Sequence, residues 1–225
     1  MKKKAVILFS GGLDSTTCLA LAKSEGYDCY ALSFDYGQRH NSELNAARKI
    51  AKKSNVMQHE VISLSIGQLG GSSLTDKTQT IKDHDDNHVG IPSTYVPARN
   101  TIMLSIALGW AEIINAEAIF IGVSSIDYSG YPDCRPEYIS KFNELVDLAT
   151  KKGVEGHVLS IKTPLINLSK ADTIKLGDSL GVDYSQTISC YKATDDGLAC
   201  GKCDSCALRR KGFDEAKLPD TTRYI

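Results

Sequence analysis

The sequence predicts an α/β protein with a mostly parallel β-sheet covered by helices on both faces. Short apolar runs alternate with helix-like stretches from residue 5 to about residue 180, which is typical of the strand and helix units of such a sheet. Polar or glycine-rich loops follow several of these runs, and four cysteines cluster near the C-terminus. Because ligands of this fold class bind at the carboxyl ends of the strands, we expect the functional site there.

The composition excludes several classes of protein. The 26 Lys and Arg residues against 27 Asp and Glu give a formal net charge of −1, which predicts no particular partner and speaks against a nucleic-acid-binding protein. Hydrophobic residues make up 42% of the 225 positions and charged residues 24%, as in ordinary globular proteins. The N-terminal apolar run is far shorter than the ~20 residues of a spanning helix, and nothing resembles a signal peptide. We therefore expect a cytoplasmic protein that does not bind membranes.

The first part of the chain predicts two strand and helix units. Residues 5–9 form a continuous apolar run that indicates a strand, and residues 14–23 favour a helix. Residues 29–34 predict a second strand, followed by a helix over 42–53 with apolar residues at helical spacing. Residues 56–64 could form a third strand, although polar residues inside this stretch weaken its pattern.

The middle of the chain contains a long polar segment and a strongly apolar helix. Residues 65–92 are rich in Gly, Ser, Thr, Asp and His, which predicts a mobile lid or a disordered loop. Residues 101–116 are apolar on nearly every side, which favours a buried helix. Residues 118–123 then predict a short buried strand.

Three further elements follow a polar loop at residues 124–135. Residues 137–151 predict a helix, and 158–161 predict the last strand. Ser169 and Asp172 have the spacing of a capping box, which predicts a helix start there and an end near Gly181.

Residues 10–15, Ser-Gly-Gly-Leu-Asp-Ser, lie where the first strand meets the first helix. Backbone N–H groups and the helix dipole favour an anion there, and Gly11 and Gly12 let the backbone approach it. The usual phosphate loop has a Lys near its end, whereas this loop has Asp14. A Mg²⁺ ion shared between Asp14 and a phosphate would remove the repulsion, with Ser10 and Ser15 as hydroxyl donors. The alternative is a tight turn in which Asp14 or Ser15 caps the helix.

The segment from Phe9 to Cys18 resembles the loop of the N-type ATP pyrophosphatases. Further segments at 34–40, 95–100, 127–135 and 190–206 resemble, in order, the 7-cyano-7-deazaguanine synthase family within that superfamily. The resemblance implies a Rossmann-like, adenine nucleotide alpha hydrolase-like domain over 1–182 with 65–92 as its lid. It also implies a set of ATP-binding residues: Phe9, Ser10, Gly11, Gly12, Leu13, Asp14, Ser15, Thr16, Thr17 and Cys18.

The same resemblance implies catalytic roles for Asp14, Asp35 and Arg99. Arg99 would brace the leaving pyrophosphate, although a surface arginine beside a helix is the alternative. Many members of the family have Gly where this chain has Ala98. His40 is a conceivable proton carrier, or else a satisfied surface histidine.

Residues 127–135 are expected to define the substrate. Asp127 or Asp133 would accept the paired N–H groups of a guanine-like base, and Tyr128 or Tyr131 would stack on its ring. Arg135 would bind a carboxylate on the substrate. The alternative is an ordinary Gly-Pro turn with charged flanks.

The clustered cysteines predict a metal site. Cys200, Cys203 and Cys206 form two C-x-x-C steps, and Cys190 supplies a fourth thiolate, which suits a closed structural zinc site. An iron-sulfur cluster is the rival, and disulfides are disfavoured in the cytoplasm. We expect one Zn²⁺ to hold residues 183–225 on the α/β domain.

The resemblance implies an ATP-dependent ligase. It would convert 7-carboxy-7-deazaguanine and ammonia to 7-cyano-7-deazaguanine through an adenylated acid and an adenylated amide. Mg²⁺ would accompany ATP, which would be converted to AMP and pyrophosphate. A homodimer is implied by the family only, and nucleic acid is not an expected partner. The rivals are a tRNA-thiolating member of the superfamily, a glutamine-dependent amidotransferase relative and a non-enzymatic zinc protein.

Overall fold

A computed structural model describes residues 2–125 and 131–225 and contains a five-stranded sheet. Its strands are β1 (Lys4–Leu8), β2 (Asp28–Asp35), β3 (Gln58–Ser63), β4 (Ala118–Phe120) and β5 (Ser160–Lys162). Their order is β3-β2-β1-β4-β5, and each neighbouring pair is parallel. The predicted parallel sheet is therefore confirmed, including the third strand that its polar residues had made uncertain.

In the part of the chain that the structure describes, seven α-helices connect and cover the strands. They are α1 (Leu13–Ser24), α2 (Ser42–Lys53), α3 (Arg99–Ile113), α4 (Pro136–Ala149), α5 (Lys151–Val154), α6 (Lys170–Ser179) and α7 (Asp204–Ala216). The predicted helix start is confirmed, since the Asp172 backbone N–H donates to the hydroxyl of the capping residue Ser169 at 3.1 Å. None of the helices in the described ranges is long and apolar enough to cross a membrane.

Alternate residues of β1 face opposite sides of the sheet, as strand geometry requires. Val6 and Leu8 belong to a core that includes Leu104 of α3. Ala5 and Ile7 belong to a second core, which is built with α1 and α2. The predicted arrangement, a sheet with helices on both faces, is confirmed.

Helix α3 corrects one prediction. The sequence indicated a helix buried on all sides, but only one side is buried: Leu104 and Ala107 are inaccessible, whereas Ile113 is 78% exposed. The reason is that α3 lies on a single face of the sheet, so its apolar residues on the outer side are not covered by the sheet.

The C-terminal segment shares a core with the α/β body. Leu13 of α1, Ile174 of α6 and Phe213 of α7 form a third apolar cluster. Arg209, only 3% exposed, donates to the Tyr184 carbonyl at 3.0 Å and forms an ion pair with Asp220. Residues 183–225 are thus packed on the body by both apolar and polar contacts.

The order of the strands fixes where a ligand can bind. The chain moves outward from β1 to β2 and β3, then returns to the other side of β1 with β4 and β5. The switch lies between β1 and β4, and their carboxyl ends flank a crevice of the kind that binds nucleotides in α/β sheets.

Candidate active site

A cavity of about 310 Å³ opens at the carboxyl ends of β1 and β4. Loops and helices from both halves of the chain contribute polar side chains to it. The polar lining includes Ser10, Asp14, Ser15, Tyr36, Gln38, Glu43, Arg99, Asn100, Ser124, Tyr131, Lys170, Ser189, Tyr191 and Asp204.

The glycine loop after β1 is pressed against α2. Gly11 has a φ of +82°, and a Cβ atom there would lie 2.5 Å from the Ala47 nitrogen and 2.7 Å from the Glu43 carbonyl oxygen. Any side chain would force the two elements apart, so the sequence needs glycine at this position. The Gly12 N–H donates to the Ser10 hydroxyl at 3.2 Å, which shapes the loop around the cavity.

The ten residues expected to bind ATP do not all face the cavity. Phe9, Ser10, Gly12, Leu13, Asp14 and Ser15 line it. The Thr16 hydroxyl instead donates to the Gly12 carbonyl at 2.8 Å, and the Thr17 hydroxyl lies 2.9 Å from the Tyr184 hydroxyl. Cys18 is inaccessible, and burial raises the pKa of its thiol well above the ordinary value, so the thiol stays neutral.

Asp14 is paired with a residue that the sequence analysis did not select. The Lys170 ammonium donates to both carboxylate oxygens of Asp14, at 2.7 and 3.0 Å. Lys170 is the first residue of α6, where the helix dipole disfavours a positive charge. That unfavourable position is the signal in the sequence that could have singled out Lys170.

Arg99 is the first residue of α3 and faces the cavity. Its guanidinium donates to the Tyr36 hydroxyl at 3.5 Å. Burial would lower the pKa of Arg99, but Tyr36, Tyr131 and Tyr191 hold that pKa above its ordinary value, so the cation persists. The preceding Ala98 has a left-handed φ of 53°, a conformation that glycine adopts more readily.

Asp35 ends β2, and its carboxylate accepts the Gly37 N–H at 3.4 Å. It is not among the described residues that line the cavity, whereas the neighbouring Tyr36 and Gln38 are. His40 also lies elsewhere, with its Nε2 atom 2.9 Å from the Cys190 carbonyl oxygen.

Of the expected substrate segment, the structure describes residues 131–135, and not all of these line the cavity. Tyr131 lines it and lies with its hydroxyl 3.0 Å from the Thr94 hydroxyl. Asp133 is 5% exposed and accepts the Asn100 N–H at 3.0 Å, which satisfies the start of α3. Arg135 is exposed and donates to the Pro132 carbonyl at 3.1 Å.

Two of the expected substrate residues, Asp127 and Tyr128, lie outside the described residues. Their roles stay predictions, as do those of the rest of this segment.

Residues 65–92 begin with a short 3₁₀ helix, Ser65–Leu69, and continue as turns and irregular structure. The Arg39 guanidinium donates to the Ser73 carbonyl at 2.7 Å, to the Asp76 carbonyl at 2.8 Å and to the Gln79 carbonyl. The segment is thus attached to the loop that follows β2. Its role as a lid stays a prediction.

The four C-terminal cysteines converge on one point. The sulfur atoms of Cys190, Cys200, Cys203 and Cys206 all lie within 4.8 Å of one another. Cys203 is 3.6 Å from Cys206 and 3.9 Å from Cys190. A tetrahedral ion with metal–sulfur bonds of about 2.3 Å needs sulfurs about 3.8 Å apart, so a single ion fits. An iron-sulfur cube, whose own atoms separate the thiolates, would need a wider group.

The cysteine segment also builds one wall of the cavity. The Ser42 hydroxyl at the start of α2 donates to the Thr194 carbonyl at 2.6 Å. The Leu13 N–H donates to the Ser189 hydroxyl at 3.1 Å. These bonds hold Ser189 and Tyr191 beside the glycine loop, so the segment that carries the four cysteines supports the cavity, although the cysteines themselves do not line it.

The family follows from a comparison with known sequences. The family model described as "Queuosine biosynthesis protein QueC" matches residues 4–217. The chain belongs to the QueC family.

Curated relatives of this QueC-family chain cover nearly its whole length. A Coxiella burnetii protein named 7-cyano-7-deazaguanine synthase is 69% identical over 223 residues, which cover 99% of this chain and 98% of the relative. Proteins of the same name from Saccharophagus degradans and Pseudomonas fluorescens are 64% and 59% identical, covering 99% and 100% of this chain and 98% and 99% of theirs.

Solved structures support the fold of the QueC-family chain. An NMN synthetase from Francisella tularensis matches with a TM-score of 0.52 and 18% identity, over 97% of this chain and 79% of that one. A predicted tRNA methyltransferase subunit from Methanocaldococcus jannaschii matches with a TM-score of 0.51 and 15% identity, over 99% and 92%. At these identities the likeness establishes the shared α/β fold alone.

Proposed function

We propose that this QueC-family chain is a 7-cyano-7-deazaguanine synthase, an ATP-dependent carbon–nitrogen ligase. The observation that carries the proposal is the 69% identity over 99% of the chain to a protein of that name. The cavity supports it, because a glycine loop, a lysine and a half-buried arginine surround the switch point of the sheet, where a nucleotide would bind.

The first half of the proposed reaction converts an acid to an amide. The carboxylate of 7-carboxy-7-deazaguanine attacks the α-phosphate of ATP, pyrophosphate leaves, and an acyl-adenylate results. Ammonia then forms a C–N bond to the acyl carbon, and the bond to AMP breaks. Adenylation is needed because a carboxylate has no acceptable leaving group for ammonia to displace.

The second half converts the amide to a nitrile. The amide oxygen attacks the α-phosphate of a second ATP and pyrophosphate leaves. The nitrogen then loses its protons, its electron pairs complete the triple bond to carbon, and AMP departs with the oxygen. In both halves an oxygen of the substrate attacks the α-phosphate of ATP, so a single site would serve both.

The residues of the cavity would act mainly by positioning and charge. Backbone N–H groups of the glycine loop, with Lys170 and Arg99, would hold the phosphates and stabilise the leaving pyrophosphate. Asp14 would bind the Mg²⁺ ion that accompanies ATP. Tyr131 would stack on the deazaguanine, and Asp127 would accept its N–H groups.

We also propose that the four-cysteine site holds zinc and that the ion is structural. Four thiolates complete a tetrahedral shell, so no position is left for water or substrate. We also propose that the protein is a homodimer, as the family resemblance implies.

A tRNA-thiolating activity is the second candidate, but the protonation of two cysteines argues against it: Cys134, which lines the cavity, and the buried Cys18. Such chemistry needs a reactive thiolate. Burial raises the pKa of the Cys134 thiol to about 11, and it raises the pKa of the buried Cys18 thiol as well. Both thiols are therefore neutral near pH 7.

One reaction mixture tests the proposal. The purified protein is incubated with ATP, Mg²⁺, ammonium and 7-carboxy-7-deazaguanine, and mass spectrometry follows amide, nitrile, AMP and pyrophosphate. Nitrile with AMP and pyrophosphate is the expected result. Nitrile with ADP would refute the adenylate mechanism, and ATP consumption that requires tRNA would favour the second candidate.

A further inference from the structure

The cavity contains a carboxylate with no role in the scheme above. The described residues that line it include three acids: Asp14, Glu43 and Asp204. Each half of the proposed reaction releases protons from nitrogen, and a basic group is needed to receive them.

Two of the three acids already have cationic or hydrogen-bonding partners. Asp14 is bound by the Lys170 ammonium at 2.7 Å. Asp204 lies 2.8 Å from the Nδ1 atom of His84. In the described ranges, by contrast, Glu43 interacts with its surroundings only through burial and more distant charges.

Glu43 lies between the phosphate loop and Arg99. It is in the first turn of α2, and its carbonyl oxygen touches the backbone of Gly11, where a Cβ atom would come within 2.7 Å. Its side chain faces the same cavity as Arg99 and Tyr36. The carboxylate therefore lies next to the site where the adenylate would form and react.

The surroundings suit Glu43 to exchange protons near neutral pH. Burial raises the pKa of its carboxyl to about 7, although Arg99 opposes the shift. The titratable groups that act on it are Arg99 of α3, Tyr36 after β2 and Cys203 before α7. A base of this strength accepts a proton readily and returns it to solvent between steps.

We propose, on the basis of the function proposed above, that Glu43 is a catalytic residue: its carboxylate accepts the protons released from nitrogen. When ammonia adds to the acyl carbon, a proton moves from nitrogen to a Glu43 oxygen as AMP leaves. In the second half, the electron pair of the N–H bond forms the third C–N bond, AMP departs with the C–O pair, and the proton passes to Glu43. Glu43 is then deprotonated by water before the next step.

The amide provides a clean assay, because nitrile formation from 7-amido-7-deazaguanine needs ATP and Mg²⁺ but no ammonia. Glu43→Gln keeps the size of the side chain and removes its basicity. We expect this variant to form nitrile about 100- to 10,000-fold more slowly than the wild type. ATP–pyrophosphate exchange with the carboxylate substrate, which involves no proton transfer from nitrogen, should stay within about threefold.

The pH profile separates proton transfer from a structural role. For the wild type, nitrile formation should rise with pH through an apparent pKa near 7, because Glu43 accepts a proton only when ionised. The rise should be absent in Glu43→Gln and partly retained in Glu43→Asp. Glu144→Gln, which removes an exposed acid of α4, is the matched control and should behave as the wild type.

The outcomes distinguish this inference from the proposed function. A wild type that makes no nitrile would refute the function. A wild type that makes nitrile while Glu43→Gln matches it, or while exchange and nitrile formation fall equally in the variant, would overturn the role of Glu43 alone.

Discussion

The ammonium of Lys170 lies 2.7 Å from one carboxylate oxygen of Asp14 and 3.0 Å from the other. The two residues are 156 positions apart, and their side chains are 14% and 34% exposed. The pair joins the glycine loop after β1 to the first turn of α6. It places a positive charge where the phosphates of ATP would lie and reduces their repulsion by Asp14.

Replacing Lys170 should impair the use of ATP. For Lys170→Met we expect kcat/KM for MgATP to fall about 10- to 100-fold, because one charged hydrogen-bonding group is worth about 1.5–3 kcal/mol. Steady-state release of pyrophosphate measures the effect. Lys175→Met, on the same helix but with its side chain 54% exposed, should change kcat/KM by less than about twofold. Equal behaviour of the two variants would contradict a role for Lys170.

Gly11 should tolerate no side chain, because its φ is left-handed and because a Cβ atom would clash with α2. Gly26 shares the left-handed φ but not the clash, so a variant there separates the two effects. Gly11 and Gly26 have nearly the same φ, +82° and +83°, but a Cβ atom at Gly26 would meet nothing within 4 Å. Gly26→Ala should therefore cost only the left-handed backbone strain, about 1–2 kcal/mol in the free energy of unfolding, and leave activity unchanged. Gly11→Ala adds the clash with α2 and should lower kcat/KM about 100-fold.

Urea unfolding and steady-state kinetics on both glycine variants provide the measurement. If Gly11→Ala were as active as Gly26→Ala, the close contact between the loop and α2 would not matter for ATP binding.

The sequence predicted the strands and the loop well because their signals are local. The apolar run before Ser10 defines β1, and the glycine pair after it marks the start of the site. Lys170 and Glu43 were not singled out because their place beside the cavity depends on residues that are distant in the sequence. Lys170 contacts Asp14 across 156 residues, and Glu43 of α2 lines the same cavity as Arg99 of α3. The apolar sequence of α3 gave no sign of which side the sheet would cover.

The cysteine site should stabilise the fold and bind one zinc ion per chain. Cys203 is inaccessible and its sulfur lies within 3.9 Å of two others, so Cys203→Ser should lose the metal and lower Tm by at least about 5 °C. Elemental analysis and thermal unfolding measure the two effects. Cys29→Ser, which replaces a buried thiol outside the cluster, should keep one zinc per chain. Iron in the purified protein would refute the zinc assignment.

Arg209 and Asp220 form a buried ion pair that should hold the C-terminal segment in place. Their side chains are 4% and 12% exposed, and the Arg209 Nε atom donates to Asp220 at 3.1 Å. Removing one partner of such a pair leaves the other buried and unpaired. Arg209→Met should therefore lower the free energy of unfolding by about 3–5 kcal/mol. Lys211→Met, with a side chain 72% exposed, should change it by less than about 0.5 kcal/mol.

The effect of Arg209→Met should also depend on pH. Burial would raise the pKa of Asp220, but the Tyr224 hydrogen bond and the Arg209 charge outweigh it and hold that pKa below its ordinary value. A lowered folded pKa gives stability that is fully present above the unfolded pKa of about 3.9 and is lost as pH falls through the folded value. The difference between wild type and Arg209→Met should thus be constant from about pH 5 to 7 and narrow below about pH 4. Urea unfolding across this range measures it, and a difference that stays constant down to pH 3 would show that the Asp220 charge does not contribute.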